Sequence, residues 1–263
     1  MVNRSFMTLI DTHCHLYLTD FEADRQQVID RAVADGVEKM YLPAIDSTEF
    51  ERLLMLEKAF PGRCIPMMGL HPCSVKGNYE DELRLVKDQL RVRRFAAVGE
   101  IGLDFYWDVS FTEQQYDAFR RQVDWAGELK LPVVIHSRNS LDECIGVIKE
   151  KQNGELTGIF HCFSGSVEQG RKIIDLGFYL GIGGVVTYKN SGLAEVVKNL
   201  PLQSMVLETD APYLTPAPFR GKRNESSYIK YVAQKLAEVK GVSVEEVAAV
   251  TTANAENIFR FED

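Results

Sequence analysis

The stretch Met7-Thr8-Leu9-Ile10-Asp11-Thr12-His13-Cys14-His15 runs straight from an apolar segment into two histidines separated by one residue. In extended backbone, side chains two apart point the same way, so His13 and His15 converge while Cys14 turns aside. A dinucleotide-binding sheet would carry G-x-G-x-x-G after its first strand. That place is taken here by Asp11-Thr12-His13-Cys14-His15, and a dinucleotide reading loses most of its support.

Working outward, apolar runs recur along the chain and predict eight strands: Met7–Asp11, Val37–Pro43, Ile65–Leu70, Ala96–Ile101, Val133–His136, Gly158–His161, Phe178–Ile182 and Met205–Glu208. They are continuous runs, as expected for strands packed inside and covered outside by helices. Helical stretches lie between them. Thr112-Glu113-Gln114-Gln115 and Ser243-Val244-Glu245-Glu246 read as capping boxes, and Gly36 and Gly177 fall where helices should end. Eight strands alternating with helices over about 250 residues is the rhythm of a (β/α)8 TIM barrel. The expectation is one domain over residues 1–263, with a doubly wound α/β sheet as the alternative because alternation does not establish closure.

The composition is that of a globular chain, with 45% hydrophobic and 26% charged residues among 263. Disordered and fibrous architectures are excluded. A net charge of −8 argues against a surface that wraps nucleic acid, but it leaves a small site open. No apolar run is long enough to cross a membrane, and Met1–Phe6 lacks the hydrophobic region of a signal peptide. Cys14, Cys64, Cys73, Cys144 and Cys162 are scattered, with no C-x-x-C pair, which fits reduced thiols in a cytoplasm. No obligate protein partner is read from the chain.

All five histidines fall at or just beyond the C-terminal end of an expected strand: His13 and His15 after the first, His71 after the third, His136 at the fifth and His161 at the sixth. Glu100 ends the fourth and Asp210 follows the eighth. In a barrel these positions share the rim where the chemistry is kept. A lone histidine there reads as a packed residue; five of five on one rim read as a metal site. Imidazole and carboxylate donors suit zinc, manganese, cobalt or nickel, with magnesium where carboxylates and water dominate. The set exceeds the needs of one catalytic zinc, so two divalent ions sharing Glu100 as bridge use it economically. A carbamylated lysine as bridge is disfavoured, because Lys130 precedes the fifth strand and sits at the wrong rim. Asp11 and Glu208, two residues before His13 and Asp210, are candidates to orient ligands.

Other residues acquire candidate roles from their place on that rim. His71 is positioned to donate to a substrate oxygen. Arg138, two beyond His136, suits an anionic substrate, and Pro218–Asn224 adds Arg220, Lys222 and Arg223. Phe105-Tyr106-Trp107 is expected to pack over the core, with base stacking as the alternative. Cys14 and Cys162 are expected to be small buried residues, and Gly181, Gly183 and Gly184 to make a tight turn in preference to a phosphate cradle. Ser164 has no spare histidine to act as its base, which disfavours a serine nucleophile.

Five motifs occur in order: Asp11-Thr12-His13-Cys14-His15, Gly69-Leu70-His71-Pro72, Gly99-Glu100-Ile101-Gly102-Leu103-Asp104, His161-Cys162-Phe163-Ser164-Gly165 and Glu208-Thr209-Asp210-Ala211-Pro212. From about Leu9 to the C-terminus the sequence resembles the TatD family of metal-dependent deoxyribonucleases in the amidohydrolase superfamily. The resemblance implies a distorted (β/α)8 barrel with two divalent ions (zinc, magnesium or manganese) that hydrolyses DNA phosphodiesters. It also implies 3′-to-5′ exonuclease action on single-stranded ends. Carried over, His13, His15, Glu100 and Asp210 hold one ion, while Glu100, His136 and His161 hold the other. Glu208 matches an acidic position that in some members touches a further metal or the attacking water. Ser226 stands where the family commonly has proline, a departure that bears on loop shape.

The mechanism expected from this set makes Asp210 the residue that orients water and takes its proton, with Glu100 between the ions. His71 and Arg138, with Arg220, counter charge on the phosphate. A carbonyl hydrolase (lactonase, amidase or aminoacyl-ester hydrolase) using the same site is the alternative, since fold does not choose the substrate. A non-catalytic scaffold is the third reading.

Overall fold

Eight strands, each followed by helix or loop, curve into a barrel in the computed structural model, which describes residues 7–260. The stretch Met1–Phe6, read above as lacking the hydrophobic region of a signal peptide, lies outside the described residues. The strands are β1 (Leu9–Asp11), β2 (Val37–Leu42), β3 (Cys64–Pro66), β4 (Val98–Asp104), β5 (Val133–Arg138), β6 (Gly158–Phe160), β7 (Phe178–Ile182) and β8 (Met205–Leu207). The helices are α1 (Arg25–Ala34), α2 (Phe50–Ala59), α3 (Tyr79–Val92), α4 (Thr112–Leu129), α5 (Leu141–Lys151), α6 (Val167–Asp175), α7 (Leu193–Lys198), α8 (Ile229–Lys240) and α9 (Val244–Phe259).

All pairings are parallel, in two runs, β1-β2-β3 and β4 through β8. Two seams join the runs. Between β3 and β4 the Met68 and Gly99 amides bond across, 3.1 Å to Ala97 O and 3.0 Å to Met68 O. Between β8 and β1 the bonds come from the segments just past the strands. Thr12 N reaches Leu207 O at 3.0 Å, Asp210 N reaches His13 O at 2.9 Å, and His15 N reaches Ala211 O at 2.7 Å. The loops that carry the candidate ligands therefore close the barrel. The open-sheet alternative falls here.

Two apolar clusters explain the continuous strand runs. Leu9, Met40, Val98, Val133 and Phe160 belong to the cluster shared with the helices. Ile10, Tyr41, Ile65, Val134, Ile159 and Val206 belong to a second cluster, and Ala255, Ile258 and Phe259 of α9 join it. Phe259 stacks on Tyr41 with centroids 3.8 Å apart, so α9 floors one end of the barrel and leaves the other for polar groups.

Local signals were met unevenly. Gly36 and Gly177 have φ of +91° and +82° and take the turn after α1 and α6. Ser243 caps α9 by accepting from Glu246 N at 3.1 Å. The expected box at Thr112 does not form. The helix is already entered at Phe111, Thr112 Oγ1 donates back to Val109 O at 2.8 Å, and Gln115 is diverted to the Asp104 backbone. A complete capping box joins Ser166 and Gln169 instead.

Candidate metal centre

A register shift between Gly99 and Ile101 marks a bulge in β4, the kind of irregularity that re-aims a side chain. Glu100 sits there, 2% exposed, at the centre of the barrel mouth. Its two oxygens face different partners. Oε2 lies 3.1 Å from His13 Nε2 and 3.6 Å from His15 Nε2. Oε1 lies 2.9 Å from His136 Nδ1, 3.5 Å from His71 Nε2 and 3.6 Å from His161 Nε2. Asp210, held at φ +57° with 14% of its side chain exposed, places Oδ1 3.7 Å from His13 Nε2 and 3.6 Å from His15 Nε2. His13 and His161 stack at 3.5 Å. The structure thus brings together all six expected metal ligands and His71.

The outer hydrogen bonds distinguish these histidines. Tyr17 donates its hydroxyl to Pro43 O at 2.6 Å, so its contact of 2.9 Å with His15 Nδ1 must be donated by the ring. His15 Nε2 then turns a bare lone pair toward the carboxylates. His71 is the reverse case. Its Nδ1 accepts from Cys73 N at 3.0 Å, which leaves the proton on Nε2. His136 faces a carboxylate at each nitrogen, with Asp104 Oδ2 2.8 Å from Nε2. Glu208 Oε1 lies 3.1 Å from His161 Nδ1 and accepts from Cys162 N at 2.6 Å.

Charge is strongly coupled. Burial alone would raise the Glu100 carboxyl, but His13, His71 and His161 hold it well below the usual range. Burial acts to lower His161, yet Glu208, Glu100 and Asp210 overcome it and push the ring up to about 10. Burial lowers His13, helped by the cation it would meet at His161. Burial lifts Asp11 to about 7 against its hydrogen bonds.

The donor set fits divalent metal. Donors held about 2.0–2.2 Å from a four-coordinate ion lie about 3.4 Å from one another. The contacts among His13, His15, Glu100 Oε2 and Asp210 run from 3.1 to 3.7 Å. A bare Nε2 aimed at carboxylates is likewise the state a metal ligand needs.

Some neighbours meet expectation and others differ. Glu208 is fully buried under His161 and orients that ring from behind, as its spacing suggested. It does not face incoming substrate, which corrects its reading as a contact to substrate or attacking water. Gly181 makes room for it: a Cβ there would lie 2.2 Å from Glu208 Oε2, which accounts for this glycine better than a tight turn. Asp11 accepts from the Thr209 amide and hydroxyl and from the His13 amide, and not from an imidazole, tying β1 to the Asp210 loop. Cys14 is buried as expected, whereas Cys162, at φ +48°, breaks strand alternation and is only half-buried. Arg223 is consumed by a bidentate pair with Asp24 at 2.7 and 2.8 Å. Arg138 and Arg220 make no carboxylate pair among the described residues; each lies over an aromatic ring, 3.8 Å from Tyr106 and 4.0 Å from Tyr188. The loop that carries Ser226 is held by Asn224, whose side-chain amide donates to Thr209 O and Tyr213 O.

Sequence reasoning missed Asp104 and Tyr17 as partners of ligands. Asp104 ends the same motif as Glu100, and Tyr17 continues the two-residue spacing of His13 and His15, so both signals were present.

Comparison with known proteins agrees with this geometry. A family model described as TatD related DNase matches residues 10–260. The uncharacterised metal-dependent hydrolase YabD of Bacillus subtilis is 40% identical over 253 residues, covering 96% of this chain and 99% of its own. A mouse protein named putative deoxyribonuclease TATDN3 is 33% identical and covers 95% of this chain and 88% of its own. The crystal structure of YjjV, a TatD homologue from Escherichia coli, superposes with a TM-score of 0.91 at 32% identity, covering 98% and 100% of the two chains. With both the sequence and the barrel matched along nearly their whole length, the chain belongs to the TatD family of metal-dependent hydrolases.

Proposed function

We propose that this protein is a deoxyribonuclease that hydrolyses phosphodiester bonds at single-stranded DNA ends, in the 3′-to-5′ direction, using two divalent ions (zinc, magnesium or manganese). The observation that carries the two-ion reading is the division of labour at Glu100. One oxygen faces His13 and His15, with Asp210 beside them; the other faces His136 and His161. Divalent metal bound there supplies Lewis acidity toward a phosphate oxygen and makes water more acidic.

The chain's own groups do the rest. Asp210, with Oδ1 beside His13 and His15 and part of its side chain open to the mouth, is the carboxylate able to take a proton from attacking water. His71 presents its Nε2 proton to a substrate oxygen. Arg138 offers its guanidinium to the phosphate, and Arg220 extends the cationic rim. Those two cations, with no carboxylate partner among the described residues, and the name of the mouse relative favour phosphodiester over carbonyl substrates.

Metal analysis of the purified protein, coupled to a time course on 5′-labelled single-stranded DNA, tests the reading. Two equivalents of metal and stepwise shortening from the 3′ end are expected, with turnover abolished in Asp210→Asn while the fold is kept. Turnover confined to lactones, amides and esters would reject the nuclease.

A further inference from the structure

The loop after β4 was expected to pack its aromatics over the core, and only Phe105 does so, half-buried with its ring 6.1 Å from Tyr116. Tyr106 and Trp107 stand 52% and 68% exposed. They meet edge to face at 4.9 Å and 87°, and the Arg138 guanidinium lies over both, 3.8 Å from the tyrosine centroid and 5.1 Å from the indole.

This exposure is not that of a loose loop. Asp104 Oδ1 accepts from Tyr106 N at 2.9 Å and Trp107 N at 3.1 Å. Gln115 bonds the Asp104 amide and the carbonyls of Asp104 and Asp108. Lys76 pairs with Asp108 at 2.5 Å. Two large rings are therefore held in water by a fixed backbone, and much of their apolar surface stays exposed beside the guanidinium. The same Asp104 carboxylate bonds His136 with its other oxygen, and Asp104 pairs with Arg138 in the β4–β5 register. The rings thus begin one carboxylate away from a candidate metal ligand.

We propose that Tyr106, Trp107 and Arg138 form a stacking platform for an unpaired nucleobase whose neighbouring phosphate lies at the metal centre. The proposal rests on the nuclease reading and adds its substrate-recognition surface. A planar base matches the ring faces, and the guanidinium, with no carboxylate partner among the described residues, matches the phosphate beside it. A paired base has its faces covered by its neighbours in the duplex and cannot use the platform, so the platform selects single strands.

The test compares steady-state hydrolysis of an oligothymidylate with that of an abasic phosphodiester chain of equal length. The wild-type enzyme is expected to show a KM about tenfold lower for the base-bearing strand, the scale of stacking one base. Y106A/W107A should lose that preference by a rise in KM, with kcat at saturation within about threefold, and W107F should retain most of it. Oligothymidylate should also quench wild-type emission, a response absent from W107F, whose remaining indole, Trp125, is buried. Unchanged KM and base preference in the double variant, with no quenching in the wild type, would overturn the platform and leave the nuclease standing. Hydrolysis of neither strand alongside turnover of carbonyl esters would overturn the nuclease reading, and the platform as a substrate site with it.

Discussion

At the barrel mouth each imidazole lies within 3.6 Å of a Glu100 oxygen, and His15, His71, His136 and His161 have a second neighbour behind the ring. A few residues outward, Arg138 and Arg220 are exposed and rest on aromatic faces. The inner groups are buried charges that need one another, since a charge without a partner in a dry site is costly. The outer cations carry no such obligation and are available to a substrate. Substitutions in the two regions should therefore fail in different ways.

The largest effect belongs to Glu100, which touches both halves of the ligand set. Glu100→Gln keeps the shape and removes the charge shared between the histidines. Turnover should drop by about a thousandfold or more, and bound metal should fall by at least one equivalent. Full metal content with near wild-type turnover would break the reading of an inner cluster organised around this carboxylate.

A second contrast lies inside the mouth. His15→Gln should lower bound metal, because it removes a bare nitrogen aimed at the carboxylates. His71→Gln should leave metal content near wild type while kcat falls by about a hundredfold, the usual scale for a lost proton donor. Equal metal loss in both variants would mean that the Cys73 amide does not set the role of His71.

The clustering was legible because strand rhythm alone sends every strand end to one rim, so His13, His15, His136 and His161 could be grouped before any contact was known. The bulge at Glu100, the lone-pair assignment of His15 and the burial of Glu208 were not legible. Each depends on a partner from another segment that only the packed fold brings close. Tyr17 requires Pro43, and Arg223 requires Asp24, 199 positions away. Composition counted three cations on one loop; packing decided that they do different work. The aromatic triplet split for the same reason, with Phe105 turned inward and its two neighbours outward.

Coupling in the mouth also predicts how the EDTA-treated chain responds to pH. Burial opposes charge on all these rings. Glu208 nonetheless raises His161 to about 10, Asp104 and Glu100 raise His136, and Glu100 raises His71. Stability from rings raised above their ordinary 6.5 is fully present below that pH and is lost as pH climbs through the folded values. Glu100, held well below its ordinary 4.5, contributes above 4.5 and is lost in acid. His13, lowered by burial, works on the acid side: it costs stability there, and that cost is relieved as pH rises to 6.5. The melting temperature of the metal-free chain should peak between about pH 4.5 and 6.5 and decline toward pH 10. Divalent metal should lift it most on the alkaline side, because ligands bind as neutral imidazoles. A metal-free profile that rises steadily to pH 10 would show that the carboxylates do not hold these protons.

The smallest effect tests the outer region against itself. Arg223 and Arg220 are three residues apart on one loop, yet Arg223 forks onto Asp24 and also bonds Asp20 O at 2.6 Å, whereas Arg220 lies over Tyr188. The Arg223 pair is about one-third exposed on each side, so solvent screens it and its worth is about 0.5–1 kcal/mol. For a chain of this size that is about 1–4 °C of melting temperature. Arg223→Ala should show that loss with KM for single-stranded DNA unchanged. Arg220→Ala should leave melting within about 1 °C and raise KM a few-fold, more steeply at low salt, because a rim cation acts through long-range attraction that salt screens. The opposite assignment, with KM moved by Arg223 and stability by Arg220, would place the substrate path on the Asp24 side of the loop and move the cationic rim away from Tyr188.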